Sequence, residues 1–193
     1  MPRYKAFDRE EVLRKAMIVF RDQGYEATSM QDLVEHMHIN RFSLYETFQS
    51  KHDLFIEALQ AYYDTVAVPF FKRLKDSQEG LKVIESTLME LVSRIKSGRS
   101  SNGCLLCNTM AELGAQQDER VMTILERYLK TLEGNFYAAV MQAKALGEIS
   151  HSADARAAAK VLVGYATGLV SLAKVLSERD LRQSVKATIA VLR

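Results

Sequence analysis

The breaks between apolar segments in this chain are written with residues that begin helices, not with residues that turn strands. Asp8 stands three positions before Glu11, Ser29 before Asp32, and Ser50 before Asp53, each at the head of an apolar run. That is the spacing at which a side-chain oxygen and a following acid satisfy the open N–H groups of a helix start. Glycine and proline, nine and two in 193 residues, are too few to close the hairpins a sheet requires. The expected fold is all-α.

Read in order, the first predicted helix leaves its Asp8 cap with Phe7 and Val12 placed as a hydrophobic staple. It carries Leu13, Ala16, Met17 and Phe20 at helical spacing and ends at Gly24. "TSMQDLVEHM" is the second, capped by Ser29, with Thr28 and Gln31 an equally legible pair, and with Leu33, Val34 and Met37 facing inward. After a break at His38-Ile39, Asn40 caps a short third helix from Arg41 to Thr47 or Phe48. Ser50 caps a fourth, whose stripe of Leu54, Phe55, Ala58, Leu59 and Tyr62 continues until Pro69 interrupts it. Longer helices follow: Leu81 to Ile95, Cys104 to Leu113 with Gly114 closing it, Glu119 to roughly Leu146, Ala153 to Leu176 and Arg179 to Leu192. "KSGRSSNG" is the most loop-like segment. The change in helix length divides the chain into a small domain over residues 1–52 and a larger one over 53–193.

Two short helices joined by a tight turn can present the second to the major groove, which needs inward apolar anchors and outward groups able to meet base edges. Leu44 and Phe48, four apart, are the anchors, while Arg41, Ser43, Glu46 and Thr47 point out. Arginine to guanine is the commonest specific contact, so Arg41 is the first expected base reader. "TSMQDLVEHMHINRFSLYETFQSKHDLF" resembles the DNA-binding signature of TetR-type transcriptional regulators, because Ser43, Leu44, Tyr45, Phe48, Ser50, Lys51 and Leu54 fall in place together. The resemblance implies further base contacts from Gln31, Phe42 and Ser43, and phosphate contacts from Thr28, Ser29, Tyr45, Thr47 and Lys51. Two positions depart from the pattern. His38 replaces the usual turn glycine, and histidine tolerates positive φ at some cost. Phe42 replaces a small residue early in the recognition helix, where an exposed ring can touch thymine methyls.

The family resemblance also implies a homodimer on a palindromic operator and a helical domain that binds a small-molecule effector. Two recognition helices must then meet successive major grooves, about 34 to 36 Å apart. Leu162, Leu169, Leu172, Leu176, Leu181, Val185 and Ile189 are the candidate dimer contacts, with Gly164 and Gly168 allowing close approach; the alternative is that they fill the protomer core. Leu88, Leu91, Met110, Leu125, Tyr128, Phe136 and Tyr165 are candidate pocket residues, although for any single one core packing is the favoured reading. In "SSNGCLLCNTMAEL" Cys104 is placed in the first turn of its helix, where open N–H groups and nearby Arg99 would stabilise a thiolate. The segment resembles a subgroup of TetR-type regulators with a Gly-Cys-Leu opening, some of which respond to electrophiles or oxidants. Cys104 is therefore a redox candidate with Cys107 as a lesser partner, against the reading of both as small buried apolar residues.

Composition narrows the remaining classes. A net charge of +2 identifies no nucleic-acid binder by bulk electrostatics, and over residues 1–52 eight cations are matched by eight anions. Affinity then leans on placement, helix N-termini and dimerisation. The N-terminus has no apolar run of signal-peptide length, which leads to a cytoplasmic expectation. Lys160 and Lys174 interrupt the one stretch long enough to suggest a membrane span. His36, His52 and His151 have no second ligand at metal spacing, and no cofactor is expected. The leading expectation is a regulator, most often a repressor in such families, released by a small molecule or by modification of Cys104. A cysteine-dependent enzyme and a purely architectural helical dimer are the alternatives, although no histidine partner or phosphate loop accompanies the cysteine.

Overall fold

The structure, a computed structural model, describes residues 8–97, 102–114, 116 and 118–193. Phe7 of the expected staple and Arg99 near Cys104 lie outside the described residues. Ten α-helices and no strand occur among the described residues: α1 (Arg9–Gln23), α2 (Met30–Met37), α3 (Arg41–Phe48), α4 (Lys51–Tyr62), α5 (Val68–Asp76), α6 (Leu81–Lys96), α7 (Leu105–Leu113), α8 (Glu119–Ala145), α9 (Ala155–Leu172) and α10 (Glu178–Val191). None of them is long and apolar enough to cross a membrane.

The capping residues set these boundaries. Asp8, Ser29, Asn40, Ser50, Asp154 and Ser177 each accept a backbone N–H from the first turn of the helix that follows. At α2 the choice between two pairs falls to Ser29 and Asp32, which form the full reciprocal box. Thr28 instead turns its hydroxyl back to donate to the Gly24 carbonyl at 2.5 Å. Pro69 acts earlier than its own position. It lies in the first turn of α5, a helix the apolar pattern did not separate, and the turn before it, Tyr63–Ala67, widens into a π-helix. A proline has no N–H to donate and its ring crowds the carbonyl four residues back, so the strain is relieved upstream.

Contacts gather the chain into two compact units. The first comprises the chain up to Val66 together with Leu105–Leu125; the second comprises Ala67–Cys104 and Glu126–Arg193. In the first unit Val12, Ala16, Val19 and Phe20 of α1 meet Leu33 and Met37 of α2, Leu44 and Phe48 of α3, and Leu54, Phe55, Ala58 and Leu59 of α4, all buried. Phe20 and Phe55 pack edge to face at 5.0 Å, and α7 packs on α1 and α4. Each of these large side chains contributes about 1.5–3 kcal/mol by leaving water.

In the second unit α6 is central, packed against α5, α9 and α10. Arg73 pairs with Glu90 and donates to Ser86 at 2.6 Å. Arg182 donates to Ser93 at 2.6 Å, and the Leu81 N–H, at the start of α6, donates to Glu148 at 2.7 Å. Leu162, Leu169, Leu181, Val185 and Ile189 are buried within the protomer itself.

Candidate nucleic-acid interface

The turn between α2 and α3 rests on His38, whose φ of 56° and ψ of 41° are left-handed. A histidine occupies this conformation at some cost where glycine would hold it freely. Met37 and Ile39 on either side are buried and fix the turn from within. Asn40 then accepts the Ser43 N–H at 2.8 Å and starts α3.

On α3, Leu44 and Phe48 are buried, Arg41, Phe42, Tyr45 and Glu46 are exposed, and Ser43 and Thr47 are half-buried. The inward pair thus anchors the helix as its spacing predicted. The Arg41 guanidinium lies 5.8 Å from the centre of the Tyr45 ring, one turn along the same flank. Gln31, exposed on α2, donates to Glu35 at 2.8 Å. Asp32 is held below the usual carboxylate range, first by the Ser29 hydroxyl and then by the Ser29 backbone N–H.

Several residues expected on phosphates have partners inside the protein. Thr28 is buried, with its hydroxyl on Gly24. Lys51 donates to the carbonyls of Tyr25 and Thr28, both at 2.9 Å, and its ammonium lies 4.4 Å from the centre of the Tyr25 ring. Its charge therefore closes the segment between α1 and α2 onto α4. Ser29 remains exposed while it caps α2.

α7 braces the same segment. Glu112 accepts the backbone N–H groups of Tyr25 at 2.9 Å and Glu26 at 2.8 Å, and Asn108 donates to the Arg21 carbonyl at 3.1 Å. Arg120 donates to Asp53 at 2.8 Å, and His52 lies 3.1 Å from Asp118. Ser50 and then Arg120 keep the Asp53 carboxyl below its ordinary range. No sequence spacing pointed to Asn108, Glu112 or Arg120, because their partners lie 67 to 87 residues away.

The effector-pocket candidates do not all share a unit: Met110 and Leu125 belong to the first, while Leu88, Leu91, Tyr128, Phe136 and Tyr165 belong to the second. Leu88, Leu125, Tyr128 and Phe136 are buried, and the Tyr165 hydroxyl lies 2.7 Å from that of Ser184. Cys104 immediately precedes α7 and does not lie in its first turn; neither it nor buried Cys107 is in a disulfide. No group of three or more histidine, cysteine or acidic residues suited to a metal occurs among the described residues.

Residues 12–58 match the family model described as bacterial regulatory proteins, tetR family, and residues 80–189 match the tetracyclin repressor-like C-terminal domain. The chain is 33% identical to the uncharacterized HTH-type transcriptional regulator YezE of Bacillus subtilis, covering 100% of both chains. It is 32% identical to the HTH-type transcriptional repressor ComR of Escherichia coli, over 79% of this chain and 72% of ComR. A cysteine mutant of the TetR family transcriptional regulator CifR, solved with 26-base-pair operator DNA, is similar with a TM-score of 0.85 at 29% identity, covering 100% of both chains.

Proposed function

The chain belongs to the TetR family and is a DNA-binding transcriptional regulator, and from that premise we propose that it represses by seating two copies of α3 in successive major grooves of a palindromic operator. One observation carries the reading: Leu44 and Phe48 are buried beneath α3 while Arg41, Phe42, Tyr45 and Glu46 stand in solvent. A helix held from below and offered from above is what groove recognition requires. Arg41, Phe42, Ser43 and Glu46, with Gln31 from α2, face base edges. Ser29, Tyr45 and Thr47 meet phosphates, and Lys51 holds the segment from which Ser29 projects.

The second copy supplies the two-fold symmetry. Exposed apolar side chains on and beside α9 and α10, Val161, Leu172, Val175 and Val191, are the surface we assign to that seam. A small molecule held in the helical domain shifts the dimer to a head spacing that no longer fits the operator. Modification of Cys104 is a second route, favoured by its place directly before α7, whose Asn108 and Glu112 hold the end of α1 and the residues after it. Such a protein works where DNA is, in the cytoplasm.

A band shift tests the main reading. DNA upstream of the protein's own gene is compared with a scrambled duplex of equal length at a fixed salt concentration. Preferential retention of the upstream duplex, lost in Arg41→Ala, supports it; equal, sequence-blind binding of both duplexes ends it. For the cysteine route, a diamide or quinone response that persists in Cys104→Ser removes that residue from the mechanism.

A further inference from the structure

Leu44 and Phe48 also fix which residues form the crest of α3. At about 100° per residue, the direction opposite their mean falls on Glu46, and Phe42 lies about 40° to one side of it. Arg41, exposed in the first turn, leaves the helix to the side of that direction, on the flank it shares with Tyr45. The crest is therefore Phe42 and Glu46, one turn and about 6 Å apart along the axis. Phe42 is 68% exposed and packs on no other ring among the described residues. Glu46 is exposed and takes part in no ion pair among them.

We propose that this crest reads two pyrimidines: the Phe42 ring covers the C5-methyl of a thymine, and the Glu46 carboxylate accepts from the exocyclic amino group of a cytosine one or two base-pair steps away. The inference rests on the proposed seating of α3 in the groove and adds the identity of the bases. In the major groove the thymine methyl is the apolar group on offer, so it is the partner for a ring left in solvent. A carboxylate carried between phosphates is repelled unless a donor meets it. The donors there are cytosine N4 and adenine N6. Adenine sets the N7 acceptor beside its amino group, against the second carboxylate oxygen, whereas cytosine does not. Guanine presents only O6 and N7, both acceptors, and is excluded by the same side chain. The spacing agrees, since about 6 Å of helix spans close to two steps of about 3.4 Å. Selection by repulsion also suits residues 1–52, whose cations and anions balance.

The test is selection of binding sites from a pool of randomised duplexes by the full-length protein, by Glu46→Gln and by Phe42→Ala. Wild type should recover half-sites containing thymine and cytosine at that spacing. Glu46→Gln should change the cytosine to adenine, the base whose N6 and N7 suit an amide. Uracil in place of the selected thymine removes only the methyl, and should weaken wild type by about fourfold per half-site. The same change should leave Phe42→Ala unaffected, while Phe42→Leu should keep part of the sensitivity. A consensus that keeps its cytosine under Glu46→Gln, or wild-type binding indifferent to uracil, overturns the base assignment and leaves sequence-specific DNA binding standing. Failure of wild type to select any consensus overturns that seating and the inference together.

Discussion

Gly24 shows how one position serves both chain geometry and packing. Its φ is 86°, and a Cβ placed there would stand 2.9 Å from Glu112, the side chain that holds the next two backbone N–H groups. Gly24→Ala should therefore cost about 1–3 kcal/mol in thermal or urea unfolding. Glu112→Gln keeps the shape but turns an amide NH2 toward one of the two N–H donors. A loss of about 1–3 kcal/mol is expected, measured the same way. Acid behaviour is set by the caps. The Ser29 and Ser50 hydroxyls, each the first cause, hold Asp32 and Asp53 below their ordinary range. Stability from these carboxylates is complete above the unfolded value of about 3.9 and drains as the pH falls through the lower folded values. Ser29→Ala and Ser50→Ala should each flatten the fall in melting temperature below about pH 4.

At the scale of the element, the apolar residues on and beside α9 and α10 fall into a buried set and an exposed set. Leu162, Leu169, Leu181, Val185 and Ile189 are already removed from water inside one protomer, so they have no area left to give a partner. Val161, at 63% exposed, and Val175 and Val191, at 85% and 86%, retain that area. Val161→Glu is expected to leave the melting of the protomer nearly unchanged, to yield a monomer by light scattering, and to abolish operator binding. Leu162→Ala, one residue away, should instead cost about 2–5 kcal/mol of folding stability through the cavity it leaves. A dimer that survives Val161→Glu would remove this face from the seam.

For the whole molecule, charge decides how binding responds to salt. With cations and anions balanced over residues 1–52, and Lys51 engaged by two backbone carbonyls, few positive charges remain to displace counterions. About two phosphate-neutralising cations per head would give a dimer slope near −4 in log affinity against log salt. A slope near −10 would mean a basic surface these residues do not supply.

The sequence by itself determined the helices that begin with a cap, the inward pair on α3 and the family resemblance. Each of these depends on residues within a few positions of one another. Ser29 with Asp32, Asn40 before α3 and the spacing of Leu44 and Phe48 are legible because a helix turn is a local object. Tertiary structure alone decided the grouping of Leu105–Leu125 with the first four helices, the engagement of Lys51 by carbonyls of the segment between α1 and α2, and the burial of most of the expected seam. The reason is physical: an apolar stripe states that a face must leave water, but not whether its own protomer or a second copy will cover it. A lysine likewise states a charge without stating which acceptor will reach it first.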